Sequence, residues 1–312
     1  MTGRQHTPPG AGAARQAEHA PTPPVALTIA GSDSGGGAGI QADLATFAAL
    51  GVHGASAVTA VTVQDTTGVH GVHALPVDVV LAQVDCVLAD LAPTVVKVGM
   101  LGEACLTLAV ARLAAAGRLP RLVVDPVLVS TSGHSLAADG VTQALRDHLL
   151  PHAVLVTPNT DEAAALLDVG PARSVDEQAD QAQALRALGA TTVVVTGGTV
   201  RTAAGADRVD VLAEAAGTHV FRSSEIATDN DHGTGCTFAS AAAAFLARGE
   251  STRDAVLSAR GFVRHALRTS AGWRLGAGRG PVAHTRTTFL DPPASPLTSP
   301  LTSPLTSQGA PR

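Results

Sequence analysis

Short apolar runs alternate along this chain with segments of helical periodicity, and this alternation restricts the fold more than any other feature. The apolar runs that predict buried strands lie at residues 25–30, 56–63, 95–98, 122–124, 153–156 and 192–195. Helical periodicity occupies residues 40–50, 77–91, 106–116, 179–188 and 252–269. Strands that alternate with helices of this length are typical of a parallel sheet covered on both faces. The sequence therefore predicts an α/β fold.

The composition supports a sizeable core and argues against several classes of partner. Hydrophobic residues make up 45% of the 312 residues, whereas aromatic residues make up only 2%. So few aromatic side chains are atypical of modules that stack nucleic-acid bases. The net charge of −5 includes no block of like charges that would attract nucleic acid or an anionic membrane. No apolar run approaches the roughly 20 residues that span a bilayer. We expect neither nucleic acid nor a membrane as a partner.

The cysteine and histidine spacings favour a cytoplasmic protein without a zinc site. Cys86, Cys105 and Cys236 are widely spaced, which fits neither a disulfide framework nor a zinc-ligand set. The pair His70-x-x-His73 has no third ligand nearby, so loop polarity explains it better than a metal.

The two ends of the chain differ from its middle. Residues 1–24 are rich in Ala, Pro and Gly, lack the apolar core of a signal peptide and predict a disordered leader. Residues 25–284 predict one folded domain, in which residues 209–212 and 218–221 form a hairpin. Residues 285–312 contain repeats of Ser-Pro-Leu-Thr, which cannot form a packed helix or a central strand, and we expect a disordered tail.

A glycine-rich turn precedes an alanine-rich helix near the end of this domain. Gly233, Thr234 and Gly235 lie where the helix begins, so their backbone N–H groups and the helix dipole favour an anion such as phosphate. Cys236 lies in the same field, which predicts a lowered thiol pKa. From these residues alone, an alternative stays open: a structural glycine turn with Cys236 as a small apolar filler.

Several predicted strands end at glycine or at polar residues. These strand ends include Gly31, Gln64, Met100, Asp125, Asn159, Gly197 and Gly198. In a parallel sheet they share one rim, where open α/β sheets bind ligands. Asp43 lies in the first turn of the helix predicted at residues 40–50. It is either a carboxylate that faces a ligand or a charge that complements the helix dipole.

Six motifs follow one another along the chain. They are residues 30–43 (AGSDSGGGAGIQAD), 59–66 (TAVTVQDT), 96–100 (VKVGM), 125–127 (DPV), 157–159 (TPN) and 232–237 (HGTGCT). In order and spacing they resemble the hydroxymethylpyrimidine/phosphomethylpyrimidine kinases, thiamine-pathway enzymes of the ribokinase-like superfamily. The resemblance implies a three-layer α/β/α sandwich with a mostly parallel central sheet, and a homodimer. It also implies ATP-dependent phosphorylation of 4-amino-5-hydroxymethyl-2-methylpyrimidine and then of its monophosphate.

The resemblance also implies roles for individual residues. Cys236 would take the proton of the substrate alcohol, while the Gly233, Thr234 and Gly235 amides would hold the charge of the transferred phosphoryl group. The residues against the pyrimidine would be Gly31, Asp43, Gln64 and Met100. The residues for ATP would be Asp125, Asn159, Thr196 and Gly198. Asp125 and Glu162 would hold Mg²⁺ directly or through water, although Glu162 could also be an ordinary first-turn helix acid.

Three positions depart from the family pattern. Many members have Lys-Gly-Gly-His at residues 196–199, where this chain has Thr-Gly-Gly-Thr, and a lysine common in the family is absent from residues 130–133. Losing these phosphate partners should affect the second phosphorylation more than the first. Asp231 replaces a threonine, and it should weaken nucleotide binding or raise the pKa of Cys236 unless it points at the metal.

Two other functions compete with the pyrimidine kinase. A pyridoxal kinase is the alternative enzyme, because its substrate is a similar hydroxymethyl heterocycle on the same scaffold. A binding protein that has lost catalysis is the alternative outside enzymes. The presence of Cys236, Asp125 and Glu162 argues against such a binding protein.

Overall fold

The computed structural model describes residues 22–129, 133, 136–202 and 205–285. Its strands are β1 (Val25–Ser32), β2 (His53–Asp65), β3 (Gly68–Ala74), β4 (Val95–Val98), β5 (Val123–Val124), β6 (Leu155–Val156), β7 (Val193–Thr202), β8 (Gly205–Glu214) and β9 (Gly217–Ser224). Its α-helices are α1 (Gly39–Ala49), α2 (Val77–Asp90), α3 (Ala104–Ala115), α4 (Val141–Ala144), α5 (Thr160–Leu167), α6 (Val175–Ala187), α7 (Thr234–Ala247) and α8 (Thr252–Ser270). The predicted leader up to residue 21, the predicted tail from residue 286 and residues 130–132 lie outside the described residues.

One sheet organises the domain, in the strand order β3-β2-β1-β4-β5-β6-β7-β8-β9. The six strands from β2 to β7 in this order are mutually parallel. The edge strand β3 and the strands β8 and β9 are antiparallel to their neighbours. The prediction of a mostly parallel sheet is therefore confirmed.

Two apolar clusters lie on opposite faces of this sheet. Side chains alternate along β4, so that Val95 joins the cluster with α1, α7 and α8, whereas Val96 and Val98 join the cluster with α2, α3, α5 and α6. Buried Val, Leu, Ile and Ala dominate both clusters, as the composition requires. The result is the predicted three-layer α/β/α sandwich.

The sequence did not predict strands whose residues have low strand propensity. Strand β3 contains two histidines and two glycines, and its pairing with β2 rather than its own propensity makes it a strand. Strand β7 was expected to end near residue 195 but continues to Thr202, with an irregularity between Val195 and Gly198. Glycines at such an irregularity resemble a loop in the sequence.

Among the described residues, no helix is both long enough and apolar enough to cross a membrane. This agrees with the absence of a long apolar run in the sequence.

Candidate active site

The carboxyl ends of the parallel strands open into one cavity of about 860 Å³. Most predicted site residues line it, namely Gly31, Gln64, Met100, Asp125, Asn159, Glu162, Thr196, Gly233, Thr234, Gly235 and Cys236. Asp43 and Gly198 do not line it. The sheet thus brings together residues that are up to 205 positions apart in the chain, counted from Gly31 to Cys236.

The turn before α7 has a conformation that requires glycine. Gly233 is the N-cap residue with φ +82°, and a Cβ at this position would overlap the carbonyl group of Gly37. Because Gly233 has no side chain, the first turn of α7 lacks a side-chain cap, and a ligand can approach its amides. Gly235 has open space around the position of a Cβ. The turn therefore exposes backbone at the start of α7, and anion binding there stays a prediction.

His232 and Asp33 tie this turn to the loop after β1. Nε2 of His232 lies 2.9 Å from Oδ2 of Asp33, whose oxygens also accept hydrogen bonds from the amides of Gly35 and Ala38. Burial opposes the charge of Asp33, but these hydrogen bonds lower its pKa below the usual value. Asp33 therefore stays ionised and holds two glycine-rich loops against each other.

The electrostatic environment of Cys236 differs from the prediction. Burial raises the pKa of its thiol, and although Lys97 opposes this, the charges of Asp125 and Asp43 raise it further. The field of the helix N-terminus favours the thiolate, but it acts against these larger effects. The expectation of a lowered pKa was therefore wrong.

Asp43 lies beneath the cavity, where it binds other side chains of the protein. Its side chain is fully buried and forms an ion pair with Lys97 at 3.0 Å. Thr28 Oγ1 and Ser240 Oγ also donate to its two oxygens, at 2.6 and 2.5 Å. The predicted substrate contact is corrected: these partners occupy the carboxylate, and Asp43 positions Lys97.

Lys97 is the residue whose role sequence reasoning missed. It lines the cavity from β4, and Nζ lies 3.7 Å from Oδ2 of Asp125. Burial opposes its charge, but the carboxylates of Asp43 and Asp125 raise its pKa above the usual value. A lysine in the middle of an apolar strand was the available signal, because a buried lysine needs a carboxylate partner.

Asp125 and Glu162 form an acidic pair at the cavity wall. Burial raises the pKa of Asp125, although Lys97 opposes this, and Oδ2 of Asp125 is buried without a hydrogen-bond partner among the described residues. Burial, followed by the charge of Asp125, raises the pKa of Glu162 to about 8. Two carboxylates that resist ionisation together, one with an unsatisfied oxygen, fit a site for a divalent cation.

Glu162 also shapes the start of α5. Asn159 accepts from the amides of Asp161 and Glu162, while Oε2 of Glu162 accepts from the amide of Asn159 at 2.9 Å. This capping box holds both residues at the rim. The alternative interpretation of Glu162 as a structural first-turn acid is thus correct for one of its oxygens.

Gly198 does not belong to the cavity wall. It pairs with Val209 in the sheet, and a Cβ at Gly198 would overlap the side-chain amide of Gln178. Its neighbours Thr196 and Gly197 line the cavity instead. The prediction that Gly198 contacts the nucleotide is corrected: this glycine lets the buried Gln178 approach the backbone.

Arginines that the sequence analysis did not select line the cavity near Thr196. Arg208 pairs with Glu225 at 2.6 Å, and Arg260 pairs with Asp210 at 2.7 Å. Nη2 of Arg260 is buried without a hydrogen-bond partner among the described residues. Both arginines are therefore held in ion pairs on this side of the cavity.

Asp231 is paired with a cation. Its carboxylate accepts from both Nε and Nη2 of Arg279, the former at 2.7 Å. This carboxylate raises the pKa of Arg279, and it is not a cause of the raised pKa of Cys236. Arg279 therefore offsets the charge of Asp231, and the expected weakening of nucleotide binding by Asp231 stays a prediction.

The chain matches the protein-family model for phosphomethylpyrimidine kinase over residues 33–283. This range includes all the cavity motifs except the end of β1 at Gly31. The chain belongs to the phosphomethylpyrimidine kinase family. The hydroxymethylpyrimidine/phosphomethylpyrimidine kinase of Streptomyces coelicolor is 46% identical over 266 residues, which cover 84% of this chain and 95% of that protein. The chloroplastic thiamine biosynthetic bifunctional enzyme of Arabidopsis thaliana is 45% identical over 273 residues. This match covers 87% of the chain but only 52% of the plant enzyme, so the chain spans about half of its length.

A solved structure supports the same fold for this family member. The pyridoxal kinase from Staphylococcus aureus in complex with ADP superposes with a TM-score of 0.76 at 35% identity. The superposition covers 85% of this chain and 94% of that one. The ribokinase-like architecture is therefore confirmed, and the identity is lower than with the pyrimidine kinase of Streptomyces coelicolor.

Proposed function

We propose that this chain transfers the γ-phosphoryl group of ATP to 4-amino-5-hydroxymethyl-2-methylpyrimidine and then to its monophosphate. The observation that carries the proposal is the position of Cys236. It lies at the N-terminus of α7, in a cavity that is lined by Gln64 and Met100 beside β2 and β4 and by Asn159 and Thr196 beside β6 and β7. Membership of the family and the identity with named pyrimidine kinases support the same reaction.

The residues of this cavity suit an in-line phosphoryl transfer. Gly31 lies against Met100, since a Cβ at Gly31 would come within 3.2 Å of Sδ, and a flat heterocycle would stack on the apolar surface that the two residues form together. The side chain of Gln64 offers an amide to the ring. Of the three predicted amides, that of Thr234 already donates to the carbonyl oxygen of Asp231, so those of Gly233 and Gly235 would stabilise the charge on the transferred group, because phosphoryl transfer depends on positioning and electrostatic stabilisation.

Cys236 would accept the proton of the attacking alcohol. The thiol must first lose its own proton to solvent, and because its pKa is raised, the thiolate so formed would be a strong base. Lys97, which lies between Asp43 and Asp125, would offset the negative charge that develops on Cys236.

Asp125 and Glu162 are the residues that would hold Mg²⁺ together with the phosphates of ATP. Mg²⁺ would supply charge neutralisation on the phosphates. Few protein ligands suit this ion, and no larger group of His, Cys, Asp or Glu that could hold a metal occurs among the described residues. We expect Glu162→Gln to raise the Mg²⁺ concentration required for half-maximal activity, with Asp176→Asn, a first-turn acid of α6 that does not line the cavity, as the control.

Product analysis tests the proposed function. The chain is incubated with ATP, Mg²⁺ and the pyrimidine alcohol, and products are identified by mass spectrometry. We expect the monophosphate first and the diphosphate later. Pyridoxal is assayed in parallel, because the pyridoxal kinase fold is also similar. A higher kcat/KM for pyridoxal than for the pyrimidine alcohol would show that pyridoxal is the preferred substrate.

We also propose a cytoplasmic homodimer. Val61 and Val63 lie two positions apart on β2 and are 46% and 52% exposed, which supports a second copy of the chain against this face of the sheet. The thiols of Cys86 and Cys105 are free and exposed, which suits a reducing compartment. Light scattering should give the mass of a dimer, and Val63→Lys should shift it toward the monomer.

A further inference from the structure

An arginine–aspartate pair lies at the edge of the cavity. Arg279 donates to both carboxylate oxygens of Asp231, and both residues line the cavity. The side chain of Arg279 is 51% exposed and that of Asp231 is 33% exposed. The guanidinium therefore faces solvent in the cavity on one side and is fixed by a carboxylate on the other.

The backbone around Arg279 is held on both sides. Before it, Oγ1 of Thr66 accepts hydrogen bonds from the amides of Ala277 and Gly278, each at 3.1 Å. After it, the carbonyl oxygen of Gly280 accepts from the amide of His232 at 3.0 Å. The fold thus places this arginine, and its position does not depend on the ion pair alone.

Asp231 connects the same arginine to the glycine turn before α7. The carbonyl oxygen of Asp231 accepts from Oγ1 of Thr234 at 2.6 Å and from the amide of Thr234 at 3.2 Å. Asp231 is therefore locked to the first turn of α7 by its backbone and to Arg279 by its side chain. The guanidinium is held beside the turn that would bind the transferred phosphoryl group.

Arg279 lies on the side of the cavity where Gln64 and His232 lie. With Gln64 and His232 it also borders an adjoining cavity of about 350 Å³. Arg208 and Arg260 instead pair with Glu225 and Asp210 near the strands β8 and β9. Of these cations, Arg279 is the one next to the predicted substrate residue Gln64.

We propose that Arg279, oriented by Asp231, contacts the phosphate of the monophosphate acceptor and so favours the second phosphorylation over the first. The guanidinium has five N–H groups, and the pair with Asp231 uses two of them, which leaves three for phosphate oxygens. The alcohol acceptor carries no such anion. The inference rests on the proposed function, and it assigns the phosphate contact of the acceptor to Arg279.

The test compares Arg279→Gln, Arg279→Lys and Asp231→Asn with the unchanged chain. Arg118→Gln is the matched control, because Arg118 is an arginine of similar exposure that pairs with Asp85 at 3.0 Å on α2. Steady-state assays give kcat/KM for the alcohol and for the monophosphate. Calorimetry without ATP gives the dissociation constant of the monophosphate.

For Arg279→Gln we expect the ratio of kcat/KM for the alcohol to that for the monophosphate to rise about tenfold, the size of one charge-assisted hydrogen bond. The dissociation constant of the monophosphate should rise by a similar factor. Arg279→Lys should lose less than Arg279→Gln, because lysine keeps the positive charge but lacks the bidentate N–H geometry of the guanidinium. Asp231→Asn should give an intermediate rise, and Arg118→Gln should leave both values unchanged.

Equal losses for both acceptors, or a change confined to the KM for ATP, would overturn the proposal. Calorimetry separates it from the proposed function. If the unchanged chain binds the monophosphate but phosphorylates neither acceptor, the kinase function fails, while the calorimetric effect of Arg279→Gln still decides the role of Arg279. If the unchanged chain does not bind the monophosphate, both fail.

Discussion

Nζ of Lys97 lies 3.0 Å from both carboxylate oxygens of Asp43, and neither side chain is exposed to solvent. The pair joins β4 to α1 directly under the cavity, and Ser240 of α7 donates to the same carboxylate. A charge this deep is stable only with its partner, because its desolvation is otherwise uncompensated. The rim of the cavity therefore rests on a buried ion pair.

We predict that Lys97→Met destabilises the chain by about 3–5 kcal/mol, because the substitution leaves Asp43 buried and unpaired. The double variant Lys97→Met, Asp43→Leu should be less destabilised than the sum of the two single variants. Urea unfolding gives these free energies. Arg118→Met, which breaks the exposed pair with Asp85, should cost less than about 1 kcal/mol. A Lys97→Met variant as stable as this control would refute a structural role for the pair.

The raised pKa of Cys236 predicts slow alkylation. At pH 7.5 the thiol should react with iodoacetamide at least about tenfold more slowly than Cys86 and Cys105, because the thiolate is the reacting species and Cys236 has little of it. The rate should increase with pH above the range in which ordinary thiols ionise. Peptide mass spectrometry after timed labelling measures all three sites in one sample. Preferential labelling of Cys236 at neutral pH would show a lowered pKa instead.

Replacing the thiol tests its role in catalysis. Cys236→Ala should reduce kcat by about a hundredfold or more, the usual contribution of a general base, while ATP binding persists. Calorimetry with ATP and Mg²⁺ provides the control for a folded site. Near-normal turnover of this variant would remove the assignment of Cys236 as the base.

Gly233→Ala should destabilise the chain and weaken nucleotide binding. A left-handed backbone costs a residue with a Cβ about 1–2 kcal/mol, and the added methyl group would overlap the carbonyl of Gly37. Gly235→Ala is the matched stability control, because its Cβ would meet open space within α7 and should stabilise the helix by up to about 1 kcal/mol. Thermal unfolding compares the two. Equal stability of both variants would argue against a required glycine at 233.

Stability should depend on pH through His284. Burial lowers its pKa to about 4, although the charge of Asp43 opposes this. Between about pH 4 and 6.5 the unfolded chain binds a proton at this residue that the folded chain does not, so stability increases with pH by about 3 kcal/mol at most. Urea unfolding at several pH values should show a smaller increase for His284→Asn than for His73→Asn, which alters an exposed histidine on β3. Equal slopes would contradict this assignment.

Local sequence was sufficient for the outline of the fold. Strand β4 has the predicted bounds, and α1 and α2 agree with prediction within one residue. These elements have a strong apolar pattern, so their own residues decide their conformation. Strand β3 and the second half of β7 have a weak pattern and form because a neighbouring strand supplies hydrogen bonds.

The sequence by itself determined the sandwich, the shared rim and the glycine turn before α7, because periodicity and glycine positions are properties of neighbouring residues. Only the tertiary structure decided which polar residues face the cavity. Asp43 is buried and pairs with Lys97, and Gly198 packs against the side-chain amide of Gln178. Asp231 pairs with Arg279, 48 positions away. The tertiary structure also reversed the expected direction of the Cys236 pKa shift, because burial and the charges of distant residues exceed the field of one helix end. Charge and solvent exposure depend on what packs around a group, and that packing is set by the whole fold.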